Sequence, residues 1–265
     1  MESMFEKKLR RLSRPPVLTD FLGEGDFADA MPPARLAEYQ RRAVRAIVAR
    51  AYESSPFYRR KMEGAGVEPA AVEGPEDLKL LPFTTKEELR GDPWILLACG
   101  KEEVALVQVS TGTTGGEEIY VPYTWRDYYL HDLAPGYPSL VPVEPGDVCL
   151  VALPYEMSSA GLAFHKSFMD GCEATVIPAG KGGAYSTPAK TVRLMRALQP
   201  TVVITTPSWA VTLAEAAAAA SFPLTELPLR RMWLTGEGCS PAFRDRVAGM
   251  WGVAANFYYG SLECG

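Results

Sequence analysis

The sequence predicts an α/β fold, with layered and mostly parallel sheets flanked by helices. Three observations predict this class. Short runs rich in Val, Ile and aromatic residues alternate with helix-like stretches beyond Val104, the pattern of strands joined by helical crossovers. The chain has 265 residues and is 47% hydrophobic, so it can bury a sizeable core. The segments after the strand-like runs are rich in Gly, Ser, Thr and aromatic residues, as are ligand-binding loops at the carboxyl ends of parallel strands.

The individual elements follow from the spacing of the apolar residues. Strands are predicted at residues 106–109, 118–123, 147–153, 174–178, 201–206, 230–235 and 254–258. Helices are predicted at residues 34–54, 125–133, 158–169, 188–198, 208–220 and 241–250. The first helix is amphipathic, because apolar residues recur at helical spacing at Leu36, Tyr39, Ala43, Val44, Ile47, Val48 and Ala51.

We divide the chain into three segments. Residues 1–32 are rich in charge, Pro and Gly and are predicted to form an N-terminal arm. Residues 33–100 form a helical segment, and residues 101–265 form the α/β core. The oligomeric state is left open, with a homodimer as one alternative.

Composition excludes several classes of function. The formal net charge of −5 argues against a nucleic-acid partner or an anionic membrane surface. No run of 18 apolar residues occurs, and the charged N-terminus does not resemble a signal peptide. The five cysteines are scattered without CxxC spacing, so four of them are expected to be buried free thiols. We therefore expect a cytoplasmic protein with a small-molecule partner.

Five loops at the predicted carboxyl ends are candidates for one ligand site: residues 110–117, 154–161, 206–209, 236–240 and 259–265. The first is the most distinctive. Hydroxyls come from Ser110, Thr111, Thr113 and Thr114, while Gly112, Gly115 and Gly116 allow backbone N–H groups to turn toward one point. Such a loop suits a polyphosphate, but the residues alone leave a Gly/Thr hairpin turn equally open.

Three motifs in order resolve this alternative. Ser110-Thr-Gly-Thr-Thr-Gly resembles the phosphate loop of the adenylate-forming (acyl-CoA synthetase) superfamily. Leu234-Thr-Gly-Glu-Gly resembles its adenine loop, and Tyr258-Tyr-Gly-Ser-Leu-Glu resembles its tyrosine-glycine-x-threonine-glutamate motif. The stretches Leu81-Pro-Phe-Thr-Thr-Lys and Gly171-Cys-Glu-Ala-Thr-Val-Ile-Pro are similar to the phenylacetate-CoA ligase branch. The resemblance runs from about Ala34 onward, as in the large N-terminal domain of that family.

The resemblance implies an activity. Members activate a carboxylic acid with ATP and Mg²⁺ to an acyl-adenylate, release pyrophosphate, and pass the acyl group to coenzyme A. The branch favours an aryl or arylacetic acid similar to phenylacetate. A carrier-protein thiol or an amine as acceptor remains an alternative, and so does a nucleotide-binding module without catalysis.

The resemblance also implies site residues. The nucleotide would be bound by Ser110, Thr111, Gly112, Thr113, Thr114, Gly115, Gly236, Glu237, Tyr258, Tyr259, Gly260 and Ser261. The acid would be bound by Tyr155, Met157, Ser158, Ala160, Gly161 and Phe164. Glu263 would hold Mg²⁺ and is the predicted catalytic residue. His165 lies in the predicted helix at residues 158–169, which begins at the acid-binding loop. It is a candidate to approach a carboxylate or pyrophosphate, and a neutral core or helix-surface histidine is the alternative. His131 is interpreted as a surface residue.

The sequence departs from the family pattern at three positions. Gly116 and Glu117 stand where the family has a lysine and a proline, so a cation beside the phosphates is replaced. Leu262 stands where a hydroxyl residue precedes the glutamate.

The sequence ends at Gly265, before the family's ribose-binding aspartate and its C-terminal lid with the catalytic lysine. We therefore expect a fragment that is inactive alone. Cys264 lies where some relatives have the first ligand of a structural Zn²⁺, but the other three ligands of a closed site would lie past the end. Zinc is left open only for a full-length parent.

Overall fold

The computed structural model describes residues 31–110, 118–130, 143–157 and 159–262. Within these ranges the strands are β1 (Val104–Val109), β2 (Tyr120–Thr124), β3 (Val148–Ala152), β4 (Thr175–Pro178), β5 (Val202–Thr205), β6 (Arg231–Leu234) and β7 (Ala255–Phe257). The α-helices are α1 (Pro33–Ser54), α2 (Pro56–Gly64), α3 (Lys86–Leu89), α4 (Trp125–Leu130), α5 (Ser159–Lys166), α6 (Pro188–Leu198), α7 (Pro207–Ala219) and α8 (Pro241–Trp251). A π-helical segment, Ser167–Gly171, follows α5 directly.

The main sheet has five strands in the order β4-β3-β5-β6-β7. All four strand pairs are parallel, and helices connect most successive strands. The predicted α/β class with a mostly parallel sheet is therefore confirmed. Strands β1 and β2 form a separate two-stranded sheet.

The core lies on both faces of the five-stranded sheet. Alternate residues of β3 enter different hydrophobic clusters: Leu150 packs in one cluster and Val151 in the other, and both are fully buried. Strand β5 repeats the alternation with Val203 and Ile204. This is the two-residue period of a strand that is covered on both faces. Such strands read as continuous apolar runs, which explains why the sequence located them.

Three helices, α6, α7 and α8, begin with a hydroxyl residue followed by proline. Proline occupies the first turn of α6, α7 and α8, and the residue before it is Thr187, Thr206 or Ser240. Each of these hydroxyls accepts a hydrogen bond from the backbone N–H three residues later. The first N–H groups of a helix have no acceptor within the helix. Proline has no N–H and so leaves none unpaired, and the hydroxyl accepts a hydrogen bond from one of the others. Because α7 follows β5 and α8 follows β6, both helix N-termini lie at the carboxyl edge of the sheet.

The chain divides into two compact units. One comprises residues 1–107 and 122–130, and the other comprises residues 108–121 and 131–265. In the first unit Val48, Met62 and Val72 form a small buried cluster, with Val44 and Ala51 packed against it. The predicted apolar stripe of α1 is thus narrower than expected: Ile47 is 60% exposed, because the buried face follows residues 44, 48 and 51.

Among the described residues, Cys99, Cys149, Cys172 and Cys239 are free thiols. Cys149 and Cys172 are buried as expected, whereas Cys99 and Cys239 are partly exposed. No helix in the described ranges has the length and apolarity needed to cross a bilayer.

An ion pair with a buried carboxylate lies at the amino-terminal edge of the sheet. The Asp147 carboxylate accepts hydrogen bonds from the Arg230 guanidinium, from Thr201 Oγ1 at 2.6 Å and from the Glu144 N–H at 2.8 Å. Burial acts to raise the pKa of Asp147, but the hydrogen bonds from Arg230, Glu144 and Thr201 outweigh it and lower the pKa. The network joins the segments that lead into β3, β5 and β6.

Replacing Asp147 by Asn is expected to lower the free energy of unfolding. Arg230 would lose its hydrogen-bonded carboxylate and keep only Glu144, at 3.7 Å. Because its side chain is 33% exposed and can be partly hydrated, the expected loss is about 2 kcal/mol, below that for a fully buried pair. Urea denaturation followed by circular dichroism measures it. Asp245→Asn, in an exposed pair with Arg244, should leave the urea midpoint unchanged. Equal midpoints for the two variants would contradict the assigned role of Asp147.

Candidate functional site

The carboxyl ends of the five parallel strands all lie at one edge of the sheet. Backbone hydrogen bonds continue past the strand ends: the Thr235 N–H donates to Thr205 O at 3.0 Å, and the Tyr258 N–H donates to Leu234 O at 2.8 Å. The loops that leave β5, β6 and β7 are therefore held beside one another. Four of the five predicted site loops begin at this edge, after β3, β5, β6 and β7.

The predicted phosphate loop is closed at its base by Ser110. Its N–H donates to Ile119 O at 2.9 Å, and its hydroxyl oxygen accepts from the Ile119 N–H at 3.0 Å. Within the described residues the Ser110 hydroxyl donates to no acceptor, because its oxygen acts here as an acceptor. Thr111, Gly112, Thr113, Thr114 and Gly115, together with Gly116 and Glu117, lie outside the described residues.

The predicted acid-binding loop is anchored beside this base. The Val109 N–H donates to Met157 O at 3.0 Å. Met157 adopts a positive φ of 54° and its side chain is 68% exposed, so it lies at the rim of the loop. Ser158 lies outside the described residues, while Ala160 is partly buried and packs against the core.

Tyr155 and His165 form a polar pair in the same loop. The Tyr155 hydroxyl is 3.2 Å from His165 Nδ1, and the two rings meet edge to face at 5.9 Å. Burial raises the pKa of Tyr155 to about 12, so the phenol stays protonated at neutral pH. This pair places one hydroxyl and one imidazole in an otherwise apolar wall.

A row of aromatic rings links the core to the carboxyl edge. Trp233 of β6 stacks on Phe168 with ring centroids 5.5 Å apart, and Phe168 is 5.7 Å from Phe164. Phe164 then meets Tyr258 edge to face at 5.2 Å. The structure thus brings a predicted acid-binding residue and a predicted nucleotide-binding residue into contact.

Gly161 is required by close packing. Its N–H donates to Pro154 O at 3.1 Å, and a Cβ at this position would lie only 2.3 Å from that oxygen. Because the clash is with backbone, it cannot be relieved by a side-chain rotation. The start of α5 and the end of β3 are therefore held together by a position that admits only glycine.

Gly161→Ala is expected to destabilise the chain by about 2 kcal/mol, since the loop must shift to relieve the overlap. Thermal and urea unfolding measure the change. Gly249→Ala in α8 is the matched control: no atom lies within 4 Å of its added Cβ, and alanine should stabilise the helix by up to about 1 kcal/mol. A Gly161→Ala variant as stable as the parent would refute the packing argument.

Glu237 is surrounded by donors. Its Oε1 accepts from Lys181 Nζ at 2.6 Å and from Ser208 Oγ at 2.8 Å, and its Oε2 accepts from the Ser208 N–H at 3.0 Å. The Ser208 N–H belongs to the first turn of α7, where the helix dipole favours a negative charge. Gly236, the preceding residue, has a φ of +79° that glycine adopts readily.

The environment of Glu237 stabilises its charged form. Burial acts to raise the pKa, but the hydrogen bonds from Lys181, Ser208 and Thr206 prevail and lower it from 4.5 to about 2. A depressed carboxylate pKa adds stability that is complete above the unfolded pKa and is lost as pH falls through the folded one. The contribution of Glu237 should therefore disappear between about pH 4.5 and about pH 2.

Glu237→Gln should lower stability in a pH-dependent way. Because the side chain is 32% exposed, the expected loss near neutral pH is about 1 kcal/mol rather than the full value of the pKa shift. Urea unfolding of both proteins in buffers from neutral pH to about pH 3 should show the difference shrinking at the acid end. Glu215→Gln, an exposed position on α7, controls for the lost charge. A difference that is constant with pH would contradict the assignment.

The segment after β7 carries the last predicted nucleotide residues. Tyr259 is 81% exposed, so its ring is open to a stacking partner. A Cβ at Gly260 would lie 3.1 Å from Tyr258 Cε1, which makes this a tight position. Ser261 and Leu262 are partly buried, while Glu263 and Cys264 lie outside the described residues. Within the described ranges, no group of three His, Cys, Asp or Glu side chains could hold a metal ion.

One residue at this edge was missed by the sequence analysis. Lys181 belongs to the loop at residues 179–186, which follows β4 in the same way that the candidate loops follow their strands. The signal was present, because this loop contains Gly180, Gly182 and Gly183 around the lysine. The partner could not be predicted, since Glu237 is 56 positions away.

Curated proteins with similar sequences are phenylacetate-coenzyme A ligases. The chain is 34% identical over 240 residues to a phenylacetate-coenzyme A ligase of Thermus thermophilus, covering 89% of this chain and 52% of that protein. It is also 34% identical over 172 residues to the phenylacetate-coenzyme A ligase of Escherichia coli K12, covering 62% of this chain and 37% of that protein. The chain thus spans about half the length, or less, of these curated relatives. No family model matches it.

Solved structures show the same fold. An open conformation of 2-hydroxyisobutyryl-CoA ligase in complex with 2-HIB-AMP and CoA superposes with a TM-score of 0.80 at 22% identity, covering 88% of this chain and 51% of that one. The same ligase in its thioesterification state gives a TM-score of 0.77 at 25% identity, covering 86% of this chain and 49% of that one.

The matches confirm the resemblance predicted from the three motifs. The chain is similar to the N-terminal portion of the adenylate-forming superfamily, in its phenylacetate-CoA ligase-like branch. The roles of the individual site residues stay predictions.

Proposed function

We propose that the chain supplies the nucleotide- and acid-binding part of an AMP-forming acid–CoA ligase. The acid is an aryl or arylacetic acid similar to phenylacetate, and the acceptor is coenzyme A. The observation that carries this proposal is the match to phenylacetate-coenzyme A ligases over 89% of the chain. Because the chain spans 52% of that relative, the activity is proposed for the complete gene product that contains this sequence.

The acid-binding wall supports an aromatic substrate. Phe164 offers a ring in the partly buried row, and Tyr155 adds a hydroxyl that is held by His165. Aromatic rings pack well edge to face against one another. A flat, apolar acid with a single carboxylate matches this combination of rings and one polar pair.

The described residues also fit a nucleotide. At Gly236 a Cβ would meet only Thr206 Cγ2, at 3.7 Å, so the backbone there is open to a planar base. Tyr259 presents an exposed ring to stack on it, and Ser110 keeps a hydroxyl proton for a phosphate oxygen. Bound ATP would supply the activated phosphorus and the pyrophosphate leaving group. The protein's part is to position the carboxylate for in-line attack.

The remaining elements of the proposal rest on the sequence. Glu263 would hold Mg²⁺ beside the phosphates, and Cys264 would contribute to a zinc site only with ligands beyond residue 265. A cytoplasmic location is consistent with the four free thiols among the described residues.

Pyrophosphate exchange tests the activity on the complete gene product, with a panel of aliphatic, aryl and arylacetic acids. We expect ATP–pyrophosphate exchange that depends on phenylacetate-like acids, followed by thioester formation with coenzyme A. No exchange with any acid, in an assay where a known ligase works, would refute the proposal. Exchange without transfer to coenzyme A would favour a carrier-protein or amine acceptor, and ATP binding without exchange would favour a non-catalytic module.

Tyr259→Ala provides a sharper version of the test. If the ring stacks on adenine, the variant should bind ATP about fivefold more weakly in calorimetry, corresponding to the loss of one aromatic contact. Phe83→Ala is the control, because Phe83 is 93% exposed and lies in the other compact unit. Equal affinities for the parent and both variants would remove Tyr259 from the site.

A further inference from the structure

The loop at residues 179–186 has a defined backbone conformation that depends on its glycines. Gly180, Gly182 and Gly183 have φ values of +70°, +74° and +77°, which strain other residues. Gly182 pairs with Ser186 in an antiparallel bridge, and a Cβ at Gly180 would lie 2.6 Å from Ser186 Oγ. The loop is thus folded back on itself at this bridge.

Lys181 extends from this loop across the sheet edge. In the strand order β4-β3-β5-β6, three strand spacings separate β4 from β6, which corresponds to roughly 14 Å. Lys181 leaves the loop after β4 and reaches Glu237 after β6, where its Nζ is 2.6 Å from Oε1. The loop and its lysine therefore pass over the carboxyl ends of β3 and β5.

The two partners are fixed to different degrees. Glu237 is also held by the Ser208 N–H and hydroxyl, so its carboxylate keeps partners when the lysine leaves. Lys181 has a flexible four-carbon stem, and its side chain is 24% exposed. The ion pair can consequently break without exposing an unpaired buried charge. Removing the lysine should therefore leave the fold intact and free the loop.

The geometry points to Lys181 as a positioning residue of the nucleotide site, which through its ion pair with Glu237 holds the glycine-rich loop against the Gly236–Glu237 turn. This inference rests on the proposed function, because that turn is where adenine is expected to bind. A loop already held in place loses less conformational freedom when the nucleotide binds. The lysine thus contributes to ATP affinity without touching the reacting carboxylate.

The first test needs no nucleotide. Hydrogen–deuterium exchange of the ligand-free chain is compared for the parent, Lys181→Met and Lys181→Arg. Amides at residues 179–186 and 236–240 should exchange faster in Lys181→Met and return toward the parent rate in Lys181→Arg, which keeps the charge. Lys190→Met is the matched control, because it removes a charge near the same loop, where Lys190 lies over the Tyr185 ring. Unchanged exchange in Lys181→Met would overturn the proposal.

The second test measures ATP. Lys181→Met should bind ATP about fivefold more weakly, because the free energy lost is that of one partly exposed ion pair. In the complete gene product the KM for ATP should rise while kcat and the KM for the acid stay constant, and Lys181→Arg should recover most of the loss. Faster exchange with unchanged ATP affinity would overturn the link to the nucleotide.

The two failures can be told apart. If the protein without a substitution binds no ATP, the proposed function is overturned, and so is the inferred effect of Lys181 on ATP affinity. The exchange data then still decide whether Lys181 holds the loop. A parent that binds ATP while Lys181→Met binds equally well overturns this inference alone and leaves the proposed function standing.

Discussion

All five strands of the main sheet run in the same direction, and this constraint decides where everything else can lie. Parallel strands need crossover helices, so both faces of the sheet are covered and its strands are buried on both sides. The same direction brings every strand's carboxyl end to one edge, with the N-termini of α7 and α8 beside it. Loops that are far apart in the sequence, after β3, β4, β5, β6 and β7, consequently become neighbours. The parallel sheet alone is therefore sufficient to bring the loops of a ligand site together at this edge.

The two edges of the sheet have different chemistry. At the amino-terminal edge, Arg230 and Thr201 are paired with the Asp147 carboxylate, which is buried, with 4% of its side chain exposed. At the carboxyl edge, Glu237 and Lys181 are paired in a network that is about one quarter to one third exposed. The first pair joins segments that have no predicted ligand. The second lies among residues predicted to contact one. The pair at the amino-terminal edge thus serves stability alone, whereas the pair at the carboxyl edge adds stability where binding is proposed.

The fold could be predicted from the sequence because its signals are local. Strands buried on both faces appear as continuous apolar runs, and the helices after β5 and β6 start at Thr206-Pro and Ser240-Pro. Ile47 was misplaced because the packing partners of α1, rather than its own periodicity, set which side is buried. The candidate site rests on motifs at residues 110–115, 236–237 and 258–263, and the roles of these residues stay predictions. Lys181 was missed because its role depends on a partner that only the folded sheet brings near.

The ring row from Trp233 through Phe168 and Phe164 to Tyr258 has an evolutionary consequence. In the proposed function Phe164 borders the acid and Tyr258 borders the nucleotide. A mutation that enlarges the acid pocket at Phe164 would also remove the edge contact on Tyr258 and loosen the stack on the core. In the proposed function, one substitution at Phe164 would therefore change acid preference and nucleotide affinity together. New substrate ranges would be reached more readily through rim positions such as Met157, whose side chain is 68% exposed and can change without disturbing the row.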